Sequence, residues 1–130
     1  MKLFLHFAVV GFSNTYLIGP EEGGDAILID PAVMNIDLLR LIENNNFYIR
    51  HILITHNHSS HTSGIRTLRK IYDFDVYTAR PSVIEGHAHQ LMNVEKLTLN
   101  GFEVTPIPIE VESMDTFIFK IKNMLFTGDV

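Results

Sequence analysis

Three of the chain's seven histidines fall within six residues, in Thr55-His56-Asn57-His58-Ser59-Ser60-His61, directly after the apolar run Ile52-Leu53-Ile54. A short apolar run rich in isoleucine reads as a buried strand, and polar residues massed at its end read as a β-to-α turn. Such turns, at the C-terminal ends of strands, are where sheets covered by helices bind their ligands. Neutral imidazole is a good ligand for zinc and for iron, so His56, His58 and His61 are candidate metal ligands. The plainer alternative is a polar loop whose histidines face water, and three histidines this dense at a strand end argue against it.

Composition narrows the chemistry. At 130 residues the chain fits one domain, and 46% hydrophobic with 19% charged residues is the balance of a folded protein. A net charge of -5 with ten Lys and Arg supplies no basic stripe for a phosphate backbone, so no nucleic-acid partner is expected. There is no cysteine. Disulfides, thiolate catalysis and Cys-ligated zinc are therefore excluded, and any metal must take His and carboxylate ligands. The spacing also differs from the H-E-x-x-H of helical zinc proteases. Residues 1–11 read as a first strand rather than a cleaved leader. No apolar stretch approaches the roughly 18 residues of a spanning helix, and a cytoplasmic protein without a membrane role is the expectation.

Along the chain, strand formers occupy residues 3–10, 15–18, 26–29, 51–55, 75–78, 97–99, 102–107, 116–121 and 124–127. Turn chemistry separates them at Glu21-Glu22-Gly23-Gly24-Asp25, Asn100-Gly101 and Lys122-Asn123, and Pro31 ends the strand before it. Helices are predicted near 37–45, 62–72 and 82–92. The first has Asp37 as its cap, Leu38, Leu39, Leu41 and Ile42 at helical spacing, and Asn44-Asn45-Asn46 at its close. The second sets Ile65, Leu68 and Ile71 on one face, and the third follows Pro81. The order, β-rich, then β-α-β-α, then β-rich, predicts a mixed sheet with helices on one face.

The histidine segment resembles the H-x-H-x-D-H-x-x-G signature of the metallo-β-lactamase superfamily, which includes glyoxalase II-like hydrolases. Supporting motifs occur in the family's order: Asn14-Thr15-Tyr16-Leu17-Ile18, Leu28-Ile29-Asp30-Pro31, Thr55-His56 through Gly64, and Leu125-Phe126-Thr127-Gly128-Asp129. The resemblance implies an α/β (α+β) fold, the αββα sandwich, with this single domain of residues 1–130 supplying its N-terminal half. It further implies His56 and His58 on a first metal, His61 on a second, and Asp129 bridging the two.

Two positions depart from the pattern. Ser60 stands where the family places an aspartate, and a neutral hydroxyl is a poor ligand for a hard dication. Glu110, in Pro108-Ile109-Glu110-Val111, stands where a P-G-H-T turn supplies the first metal's third histidine. Glu110 is thus a further candidate ligand, but Ile109 replaces the glycine of that turn. The family's last ligand lies beyond Val130. The implied cofactor is zinc, or iron or manganese, with at most one ion held well, and binding of none stays open.

The implied activity is metal-assisted hydrolysis of a small-molecule ester, thioester, lactam or phosphoester, impaired by these departures. The alternatives are a non-catalytic remnant or interaction module, and the first part of a larger hydrolase. Because the rest of the family's sandwich is missing, the inner faces of residues 102–107 and 116–121 are expected to lack a cover, and a homodimer or partner chain is expected to supply one. Among the other histidines, His87 and His89 are expected on a solvent-exposed helix or loop, with an auxiliary ligand pair as the alternative, and His6 and His51 are read as structural. Asp30 either holds the metal loop by accepting backbone hydrogen bonds or merely ends its strand.

Overall fold

A computed structural model of the protein describes residues 1–8, 13–31, 35–55, 64–79, 88–91, 96–111 and 114–127. Six strands, β1 (Lys2–Ala8), β2 (Ser13–Gly19), β3 (Gly24–Ile29), β4 (Phe47–Leu53), β5 (Asp75–Thr78) and β6 (Ala88–Gln90), form a first sheet in chain order. Antiparallel pairing joins β1 to β2 and β2 to β3, and parallel pairing joins β3 through β6, so the sheet is mixed. A second, antiparallel sheet holds β7 (Leu97–Leu99), β8 (Phe102–Val111), β9 (Met114–Ile121) and β10 (Met124–Phe126) in the order β10-β9-β8-β7.

Two apolar cores flank the first sheet. On one face, Leu38 and Ile42 of helix α1 (Ile36–Asn44) and Ile65 and Leu68 of helix α2 (Ile65–Leu68) pack on Leu17, Leu28, Ile49, Ile52 and Val76. On the other, Ile18, Ile27, Ile29 and Leu53 meet Val104, Phe117, Phe119, Ile121 and Phe126 of the second sheet. The side-chain period of two makes this possible: in β3, Ala26 and Leu28 face the helices while Ile27 and Ile29 face the second sheet. A strand buried on both faces reads as a continuous apolar run. In β4 the pairing slips between Ala26 and Ile27, so that Arg50 is an extra residue between Ile49 and His51. This bulge keeps Ile52 on the helix side and turns His51 and Leu53 toward the second sheet.

Helix α1 follows the sequence closely, although Asn35 rather than Asp37 caps it, its side-chain oxygen accepting from the Leu38 amide at 2.9 Å. Three expectations need correction. The first concerns the helix near 62–72, which within the described residues is regular only over Ile65–Leu68. Tighter bonds from Lys70 to Thr67 and from Ile71 to Leu68 close it. That closure leaves Ile71 44% exposed and buries Tyr72, at 6%, in its place. The Tyr72 hydroxyl donates to Glu43 of α1 at 3.1 Å, and burial, then Glu43, hold the phenol well above its ordinary range.

The second correction is the helix near 82–92. Residues 88–90 are strand β6, because a second parallel neighbour lets β5 satisfy its backbone groups on both sides. His89 therefore sits on a strand, and residues 80–87, with His87, lie outside the described ones. The third correction is the open face. Val104, Phe117, Phe119 and Ile121 are buried against the first sheet, so these inner faces are covered within the chain. Among the described residues no helix is long and apolar enough to cross a membrane.

One close approach makes a local test. A Cβ built on Gly19 would stand 2.4 Å from Cε1 of the buried Phe47 ring. Gly19→Ala should therefore lower stability by about 1 to 3 kcal/mol, the usual cost of overpacking. Urea denaturation reads this, and an unchanged midpoint would show that the ring moves aside freely.

Candidate metal centre

Strand β4 delivers the chain to Thr55, which is fully buried at the rim of the first sheet. Its amide donates to Asp30 Oδ1 at 2.8 Å and its hydroxyl to Asp30 Oδ2 at 2.6 Å. Asp30 is 0% exposed and takes a left-handed backbone conformation, φ 54°, which aspartate tolerates better than most residues. Its own backbone is fixed on both sides: the amide donates to the Leu53 carbonyl at 3.0 Å, and its carbonyl accepts from the Thr15 hydroxyl at 2.7 Å. A carboxylate can be buried here because its oxygens receive hydrogen bonds of the short, charge-assisted kind.

The next residue holds the other end of the histidine segment. The Gly64 amide, leading into α2, donates to the Pro31 carbonyl at 2.8 Å. Residues 56–63 thus leave Thr55 and return at Gly64 with both ends bonded to the consecutive pair Asp30-Pro31. Of the two readings of Asp30, the structure bears out the one in which it holds the loop. The sequence pointed to Asp30 through its place after an apolar strand, but held no sign of Thr15, nor of the Pro31 to Gly64 bond.

The second sheet meets the same point. The Phe117 amide donates to the Thr55 carbonyl at 2.7 Å, tying the start of β9 to the rim. Ile109 pairs with Thr116 beside it, and Glu110 with Asp115 one step further on. The backbone of residues 108–111 is extended strand rather than the turn that the family motif requires. Strand β10 ends at Phe126, opposite Phe119, with the Phe126 ring packed edge-on to Tyr16 at 5.0 Å. Its direction, antiparallel to β9, leads the chain toward the same rim.

His56, His58, Ser60, His61 and Asp129 lie outside the described residues, as does the side chain of Glu110. Among the described residues no group of three His, Cys, Asp or Glu is placed to hold a metal ion. The donor set that the resemblance implies is His56, His58, His61 and Asp129. Three imidazoles and one carboxylate suit a single dication.

Comparison with known proteins places this geometry. The family model of the metallo-beta-lactamase superfamily matches residues 8–130. An atrochrysone carboxyl ACP thioesterase of Claviceps purpurea is 29% identical over 129 residues, covering 90% of this chain and 39% of that protein. A hydroxyacylglutathione hydrolase of Shewanella denitrificans is 26% identical over 128 residues, covering 94% and 49%. The chain thus spans half or less of the length of these curated relatives. Among solved structures, ETHE1 from Myxococcus xanthus superposes with a TM-score of 0.80 at 21% identity, over 96% of this chain and 56% of that one. The B3 metallo-beta-lactamase BLEG-1 gives 0.75 at 16% identity, over 93% and 68%. With a family match over nearly its whole length and a fold that agrees, the chain belongs to the metallo-beta-lactamase superfamily.

Proposed function

We propose that the chain carries the metal-binding part of a hydrolase for a small thioester or related acyl compound, with one dication held by His56, His58, His61 and Asp129. The observation that supports this most is the double anchoring of residues 56–63 on Asp30-Pro31, a rigid frame for ligands of the kind precise coordination needs. The substrate class leans on two relatives, by name a thioesterase and a hydroxyacylglutathione hydrolase.

A bound dication in such a site supplies Lewis acidity and an acidified water for attack on a carbonyl. The chain's own part is to fix the two ends of the histidine segment at Thr55 and Gly64, with Glu110 of β8 as a candidate further carboxylate. Ser60 favours a second reading, a fold that has lost its metal and its chemistry, since a hydroxyl replaces an anionic ligand.

Metal analysis after exhaustive dialysis separates the two. About one equivalent of zinc, iron or manganese is expected, falling to a trace in His58→Ala, with hydrolysis of a simple acyl thioester lost in parallel. Ser60→Asp should raise the affinity in a zinc titration. A metal-free protein whose zinc titration is unchanged by either substitution would leave the second reading standing.

A further inference from the structure

The outer face of the second sheet gathers charge at the end away from the histidine segment. Val104 of β8 and Ile121 of β9 pair with each other and are buried against the first sheet. By the alternation of a strand, Glu103, Thr105 and Lys120 therefore face outward, and Thr105 stands opposite Lys120 in the register. With Lys96, Phe102 and Lys122 they line an open groove of about 560 Å³. The groove is remote from the candidate metal centre: Phe117 ties the start of β9 to Thr55, and Lys122 follows about 17 Å of extended chain later.

In a chain of net charge -5, three lysines on one groove reverse the local sign. Lys96 answers the groove's carboxylate, its ammonium standing 2.7 Å from Glu103 Oε1. Among the described residues Lys120 and Lys122 enter no ion pair. Lys122 also sits where its backbone is unfavourable. Ile121 pairs with Met124, so Lys122-Asn123 is a two-residue hairpin loop, and Lys122 has φ 55°. Such loops favour glycine, asparagine or aspartate at positive φ, as the hairpin beside it does with Asn100 and Gly101 at φ 52° and 85°. Turn geometry gives no reason for a lysine at this position, and backbone strain of this kind concentrates at functional sites.

We propose that Lys120, Lys122 and Thr105 bind the phosphate group of a small phosphate monoester, with Phe102 as the apolar wall for its organic part. Two ammonium groups and a hydroxyl are a donor set for a dianion with three terminal oxygens, and lysine serves such groups as a point charge. A carboxylate brings one charge and two oxygens and uses the set only in part. The groove has the volume of a small-molecule site, and the chain's overall negative charge opposes a long polyanion.

An NMR titration of the full chain with phenyl phosphate tests this at about pH 7.5, where a phosphate monoester carries nearly two charges. Saturable amide shifts are expected at residues 101–105 and 120–122, and sodium chloride at matched ionic strength should not reproduce them. Inorganic phosphate should move the same amides with lower affinity, since it has no part to meet Phe102. Equal affinity would give the groove to free phosphate and overturn the monoester. Lys122→Gly suits the loop and removes the charge, so it should weaken phenyl phosphate by about two- to fivefold, the size of one exposed charge contact, with no loss in the urea midpoint. Lys120→Gln, which leaves the loop untouched, should weaken it similarly. Unchanged affinity in both variants, or shifts centred on Thr55 and Gly64 instead, would overturn the proposal.

Discussion

Asp30→Ala is expected to destabilise the protein by about 3 to 6 kcal/mol, from two hydrogen bonds to a charged group at about 1.5 to 3 kcal/mol each. The substitution strips the acceptors from the Thr55 amide and hydroxyl in a site with no exposure to water. It also puts a residue with little tolerance for φ 54° where aspartate sits. Against a total of about 5 to 15 kcal/mol for an ordinary domain, the loss approaches the threshold of folding. Asp30→Asn keeps one acceptor oxygen for the Thr55 amide and should lose about half as much. Urea denaturation measures both, and a cost for Asp30→Ala within about 0.5 kcal/mol, the range of ordinary surface changes, would show that Thr55 is held by something other than this carboxylate.

The second large effect belongs to the sheet interface. Phe119 is fully buried, pairs with Pro106 on one side and Phe126 on the other, and lies between the two sheets. Phe119→Ala should cost about 3 to 5 kcal/mol, the transfer term plus a cavity that the flanking strands cannot close. The neighbouring residue supplies the control. Ile118 points to the opposite face of β9 and is only partly buried, so Ile118→Ala should cost clearly less. Equal costs at the two positions would mean that the second sheet does not pack on the first as described.

Much of this arrangement was legible from local pattern. The run 26–29 ending at Asp30-Pro31, the helix near 37–45 and the Asn100-Gly101 turn each carry their signal within a few residues, and the structure has each within a residue of that place, with Asn35 rather than Asp37 capping the helix. What failed depended on distant neighbours. Residues 88–90 look helical by spacing, yet form a strand because β5 offers a free edge. Ile71 has the period of a buried residue, but the helix tightens before reaching it. That β7 to β10 make a sheet of their own, folded over the first, follows from Phe117 meeting Thr55, a contact 62 positions apart along the chain that no window of sequence displays. The candidate ligands were legible as a motif, and their frame only in part: Asp30 was readable as a residue, its grip on Thr55 as one of two options.

The grip on both ends of residues 56–63 also bears on how such a site can change over evolutionary time. Closing a loop costs entropy that grows only slowly with length, about 0.6 kcal/mol per doubling. A longer segment between the same four anchors, Asp30, Pro31, Thr55 and Gly64, should therefore cost little in stability. The bonds that hold the two ends belong to Asp30, Pro31, Thr55 and Gly64, all outside the segment. A substitution at position 60 removes none of these bonds, so the frame can persist while residue 60 changes.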